Sequence, residues 1–132
     1  MSQAKNALGN EREYWGVIPV MPGQQLMATA QQMEDLGYTG AFSYQVFGPP
    51  FIPLAVAAAA TSRMKVASGI AIAGTRSPFE TAMAAMDLDR ISEGRFILGL
   101  GSSAPAWTED IFGTPPYKPI AHLRDTVAAV RH

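Results

Sequence analysis

Apolar and polar positions switch between two periods along this chain. Residues 14–21 (YWGVIPVM) form an apolar run of strand length, and Pro19, which lacks a ladder donor, belongs near its end. Over residues 22–36, Leu26, Ala30 and Met33 fall at i, i+4 and i+7. That is one face of an amphipathic helix, with Gly37 as its stop. Residues 38–45 (YTGAFSYQ) read as a second strand and residues 48–50 as a loop. Residues 52–62 form a short Ala-rich helix with Pro53 tolerated in its first turn. Residues 64–73 (MKVASGIAIA) are apolar or small after Lys65, the pattern of a parallel strand covered on both faces. Ser77 at an N-cap, Pro78 at N1 and Glu80 at N3 then make a capping box. The helix it opens runs through Met83, Met86 and Ile91 to a stop at Gly94, and residues 95–100 (RFILGL) are a fourth strand. Residues 104–117 read as a loop of mixed polarity. Pro119 opens a fourth helix, with Ile120, Leu123, Val127 and Val130 on one stripe.

Strands starting at 14, 38, 64 and 95, each followed by a helix or helix start, predict repeated strand–helix units and a parallel sheet. A parallel (β/α)8 barrel takes about 200–250 residues. Four units in 132 residues therefore fit half a barrel or a small open sheet. Residues 1–12 are polar and read as a flexible tail, and residues 13–132 as one domain.

Composition narrows the chemistry. Apolar residues make up 48% and charged residues 16%, against about 25% charged in an ordinary domain, which argues against disorder and for a largely buried chain. A net charge of −1 gives no general attraction to nucleic acid or to an anionic membrane. The longest weakly polar run, residues 51–60, is too short to span a bilayer, and the start of the chain has no secretory pattern. A cytoplasmic location is the expectation. With no Cys, thiolate chemistry is excluded, and His122 and His132 alone cannot build a His-rich metal centre. His122 reads as a solvated surface histidine, and Met27, Met33, Met83 and Met86 as core packing. Asp87, Asp89 and Arg90 read as a charged helix face whose exposed ion pair is worth less than about 1 kcal/mol.

Several motifs carry a resemblance. They are Thr61-Ser-Arg63, Ala67-Ser-Gly-Ile70, Arg76-Ser-Pro78, the stretch 87–101 (DLDRISEGRFILGLG), Phe112-Gly113, and the last helix with Pro119, Leu123 and Arg124. From Gly37 onward the chain resembles the N-terminal half of the bacterial luciferase-like monooxygenases, flavin- and deazaflavin-dependent oxidoreductases. The pattern LDxxSxGRFxLGLG is its most specific part. The resemblance implies half of a TIM barrel, with the active site at the C-terminal strand ends. It implies an isoalloxazine-type ring across the barrel mouth: coenzyme F420, with FMN as the alternative. Hydride transfer with a small organic substrate is the implied reaction.

Carried onto this sequence, the resemblance puts a bulged strand with a non-prolyl cis peptide at Gly69-Ile70, Ile70 serving as an apolar backstop to the ring. It puts Gly101 under the ring and Ser102 or Ser103 near its polar edge. Many relatives carry Asp then His where this chain has Gln45 and Val46. Gln45 can hydrogen-bond a cofactor but cannot serve as a general base, and Val46 does neither. Tyr44 and Trp107 are candidates for the substrate pocket. Relatives also pair their second and third helices across a homodimer, which points to residues 52–62 and 78–92. Residues 55–60, five of them Ala, would allow close helix approach.

Two other readings remain open at this level. Unclosed strand edges in a low-charge half-barrel would suit a non-catalytic module that self-associates. Gly99, Gly101 and Ala104 also have the spacing of a dinucleotide-binding turn, although such a turn belongs after a first strand rather than a fourth.

Overall fold

The computed structural model describes residues 11–132. Most of the expected tail therefore lies outside the described residues. The elements run β1 (Trp15–Val17), α1 (Gly23–Asp35), β2 (Gly40–Ser43), α2 (Phe51–Ala60), β3 (Lys65–Ser68), β4 (Ala71–Ile72), a 3-10 turn (Ala73–Thr75), α3 (Pro78–Ile91), β5 (Phe96–Ile97), β6 (Leu100–Gly101), α4 (Pro105–Phe112) and α5 (Pro119–Val130).

Every strand pairing is parallel. β1, β2, β3 and β5 form one sheet in that order, and β4 pairs with β6. Spatial order follows chain order, so no crevice opens where the winding reverses. That removes the dinucleotide-fold reading of the glycines at 99–104.

The register sorts the side chains into two faces. Ala41 stands beside Val66, and both are fully buried under the helices. They join Ile18, Leu26, Ala30, Met33, Leu54, Ala57, Ala58, Met64 and Leu88 in one core. The next row, Val17, Phe42, Ala67 and Ile97, points to the opposite face. Val17 and Ile97 are each 45% exposed there, and Phe42 and Ala67 are partly exposed. The expectation of strands covered on both faces thus holds for the helix face only. The other face, which in a closed barrel is the interior, is an open apolar row.

The third and fourth strands are each interrupted. β3 stops at Ser68 and β4 starts at Ala71, with a cis peptide between Gly69 and Ile70. β5 and β6 are separated by Leu98 and Gly99. The Ser68 hydroxyl spans the gap, donating to the Gly99 carbonyl and accepting from the Gly99 amide, both at 2.9 Å. A Cβ on Gly99 would run into the Ser68 carbonyl oxygen, so the clasp requires glycine there.

Helix ends follow the sequence closely. Gly37 and Gly94 sit at φ of 86° and 81° just past α1 and α3, where only glycine is unstrained. Ser77 Oγ accepts from the Glu80 amide at 3.1 Å, which is half of the expected capping box.

Four expectations are corrected. Residues 105–112, expected to be loop, form α4, capped by Gly113 at φ 65°. Met27, Met83 and Met86 are 37%, 38% and 48% exposed, because the helices turn those positions away from the sheet; Met33 alone of the four is core. His122 is half-buried rather than solvated, its ring 4.6 Å from Tyr117. The stripe on α5 is also weaker than expected, since Ile120 is exposed and Thr126 is the buried residue.

The turn from α2 into β3 is gripped from both sides. The Glu34 carboxylate at the end of α1 accepts from the amides of Ser62 (3.1 Å), Arg63 (2.7 Å) and Met64 (2.7 Å) and from the Ser62 hydroxyl (3.2 Å). From the other side the Arg95 guanidinium donates to the carbonyls of Ala58 (2.9 Å), Thr61 (3.1 Å) and Met64 (2.7 Å) and to Thr61 Oγ1 (3.1 Å). Arg95 thereby satisfies carbonyls that α2 leaves free at its end. The arginine of the GRF motif is a structural brace.

Candidate functional site

The C-terminal ends of all the strands lie on one side, and there the expected residues meet. The interrupted third strand is stitched to both neighbours. Gly69 N–H donates to the Ser43 carbonyl (2.8 Å), Gln45 N–H to the Ile70 carbonyl (3.0 Å), and Ala71 N–H to the Gly99 carbonyl (2.9 Å). The Ile70 side chain lies over Gly101 and is 37% exposed; a Cβ on Gly101 would come within 2.7 Å of Ile70 Cδ1. Gly69 is backed by the Phe42 ring, 3.0 Å from where a Cβ would stand. Gly69, Ile70 and Gly101 thus form a wall without ionisable groups. Ser102 and Ser103 follow, the latter at a left-handed φ of 58°. Tyr117 donates its hydroxyl to the Ser102 carbonyl (3.3 Å) and packs where Gly74 leaves room.

Gln45 is buried and its amide is largely committed inside the chain. Oε1 accepts from Ile72 N–H (3.0 Å) and from Arg76 Nη2 (2.8 Å), while Nε2 donates to Thr75 Oγ1 (3.1 Å). One Nε2 proton is left for anything else. Arg76 also donates to the Ile72 carbonyl (3.3 Å) and stacks over the Phe51 ring at 5.2 Å. Burial lowers the affinity of its guanidinium for the proton and the charge of Glu80 partly restores it. The cation persists at any ordinary pH.

Tyr44, 47% exposed, lines an open cleft of about 230 Å³ with Pro19, Val20, Ser43, Val46 and Phe47. Among the described residues, no ionisable group other than the Tyr44 phenol lines it. Trp107 on α4 does not line it but touches two residues that do: its Nε1–H donates to the Val46 carbonyl (3.2 Å) and its ring lies 5.6 Å from Phe47. The larger opening, about 540 Å³, is at the opposite end of the strands among Glu11, Glu13, Glu34, Arg63 and Lys65, away from the glycine wall. Arg76, Thr75 and Tyr117 carried no signal beyond the Arg-Ser-Pro motif; their partners are 15 to 31 positions away and only the fold brings them close.

Residues 3–132 match the family model of the luciferase-like monooxygenases. The chain belongs to that family. It is 35% identical over 130 residues to a Mycobacterium tuberculosis protein named "Putative coenzyme F420-dependent oxidoreductase Rv3520c", covering 98% of this chain and 37% of that protein. Its fold matches the oxygenating constituent of 3,6-diketocamphane monooxygenase of Pseudomonas putida in complex with FMN (TM-score 0.76, 18% identity, 89% of this chain and 38% of that one). It also matches the coenzyme F420-dependent tetrahydromethanopterin reductase of Methanopyrus kandleri (TM-score 0.71, 24% identity, 88% and 39%). The chain thus spans well under half the length of these family relatives. The α/β fold of parallel strand–helix units is that of part of their TIM barrels. No helix among the described residues is long and apolar enough to cross a membrane.

Proposed function

We propose that this chain contributes four strand–helix units of a luciferase-like oxidoreductase that transfers hydride between coenzyme F420, or alternatively FMN, and a small organic substrate. The observation that carries the reading is the exposed Ile70 side chain held over Gly101 at the C-terminal strand ends. A flat ring needs a dry wall on one side and an open face on the other. The residues present fit such a ring: Gly69, Ile70 and Gly101 supply an uncharged wall, and Ser102 and the free proton of Gln45 Nε2 supply polar contacts at its edge. Tyr44 and Trp107 border the space for substrate. When bound, either ring supplies the hydride chemistry. Gln45 and Val46 supply no general base, so this chain's own part is to bind, orient and exclude water.

Barrel enzymes often hold phosphate after strands seven and eight. The 132-residue chain alone is therefore expected to bind either ring weakly. Titration with F420 and with FMN, followed by ring fluorescence, tests this. Saturable micromolar binding would overturn the half-site reading. Any residual quenching should disappear in Gly101→Leu, which displaces Ile70; quenching indifferent to that change would remove the wall.

In the same reading the exposed faces of α2 and α3, with Ile52 (63% exposed), Phe79 (73%), Met83 and Met86, pair across a homodimer. A second reading, a self-associating module without catalysis, draws on the open β5–β6 edge. There Leu98, Leu100, Val127 and Val130, with Arg131 beside them, line a cleft of about 360 Å³.

A further inference from the structure

A second cleft, about 380 Å³, lies on the other side of Phe47 and Pro49 from the one that Tyr44 lines. Phe47, Phe51 and Phe112 form much of its apolar wall, and Arg76 and Glu80 are its charged groups. Arg76 is half-buried, yet the ion pairs among the described residues are Lys65–Glu13, Arg90–Asp87 and Arg124–Asp125. Residues 1–10 contain no Asp or Glu that could serve as its partner. The Arg76 bonds go to neutral oxygens, Gln45 Oε1 and the Ile72 carbonyl, and use two of five donors. Gln45 is neutral, so among the described residues the charge that acts on the guanidinium is that of Glu80, which stands beyond ion-pair distance. A partly desolvated cation with spare donors, stacked on one ring and bordered by two others, favours an oxyanion attached to an aromatic body.

We propose that this cleft binds a small aromatic carboxylate, its two oxygens on the Arg76 guanidinium and its ring among Phe47, Phe51 and Phe112. Glu80 lines the same cleft and decides between anions: its charge repels a dianionic phosphate more than a singly charged carboxylate. The volume sits at the lower end for small-ligand pockets, which fits one ring rather than a nucleotide. The proposal does not depend on the ring-binding reading above, and it requires that the α2–α3 pairing proposed there leave the cleft open although Ile52 borders both.

The test uses the full chain labelled with ¹⁵N, following Arg76 Nε–H and Trp107 Nε1–H. The indole reports because its ring lies 5.6 Å from Phe47. Benzoate is expected to shift both signals saturably and to bind about tenfold tighter than neutral benzyl alcohol. Phenyl phosphate should bind more weakly than benzoate. Arg76→Gln should erase the preference for benzoate. Glu80→Gln should tighten benzoate by about twofold to fivefold, the range of one exposed charge interaction. Should Arg76→Gln unfold through its contact with Gln45, Arg76→Lys, expected to bind with intermediate strength, and Glu80→Gln decide the matter. Equal binding of benzyl alcohol, tighter binding of phenyl phosphate, or weaker binding in Glu80→Gln would each overturn the proposal. So would an Arg76 signal that moves with protein concentration alone, since a second copy would then fill the cleft.

Discussion

Replacing Glu34 with Gln removes the charge that holds the turn into β3. Partial burial by itself raises the Glu34 carboxyl, but the amides of Met64, Arg63 and Ser62, with the Ser62 hydroxyl, outweigh it and lower it from 4.5 to about 2. That difference corresponds to at most about 3.5 kcal/mol at roughly 1.4 kcal/mol per pKa unit. The side chain is partly open to water, and screening reduces the expected contribution to about 1–2 kcal/mol. Because the folded value lies below the unfolded one, the unfolded chain binds more protons between the two. The contribution is therefore complete above pH 4.5 and fades as pH falls towards 2. Urea unfolding of the parent and of Glu34→Gln at pH 7, 5, 4 and 3 measures it. The gap should be about 1–2 kcal/mol at pH 7 and narrow steadily below pH 4.5. A gap that is absent at pH 7, or that stays constant down to pH 3, would refute the argument.

Arg95→Lys keeps the charge but loses the fork that reaches four acceptors, and should lower stability by about 1–3 kcal/mol in the same urea assay. Gly99→Ala should cost more than Gly101→Ala in thermal melts, by roughly 1–2 kcal/mol. A Cβ at Gly99 meets the Ser68 backbone, whereas one at Gly101 meets the movable end of Ile70. The proposed homodimer requires that Met86→Glu, on the exposed face of α3, lower the mass read by light scattering to that of a monomer with little change in melting temperature.

The sequence showed the layout well because the layout rests on local patterns. The four strand positions, the stops at Gly37 and Gly94 and the N-cap at Ser77 all depend on residues within a turn of one another. α4 was not legible, since Pro105, Thr108, Glu109 and Asp110 interrupt any apolar stripe; what holds it is the Trp107 bond to Val46 and the left-handed Gly113. The exposure of Met83 and Met86 was equally hidden, because a helix on a half-barrel has two apolar faces and the sequence does not say which one meets the sheet. At the site, the Gly69–Ile70–Gly101 grouping was reachable only through family motifs. The commitment of Gln45 to Arg76 and Thr75 had no signal at all, being made across 30 and 31 positions.

The doubly held turn at residues 61–64 also sets an order of assembly during synthesis. Glu34 can fasten the amide side as soon as Met64 has left the ribosome. The carbonyl side waits for Arg95, which emerges 34 residues after Thr61. Until then the end of α2 is answered only by the Thr61 amide and hydroxyl, on the Ala58 and Ala57 carbonyls, and by water, and the nascent chain carries a hinge that the fourth unit later locks.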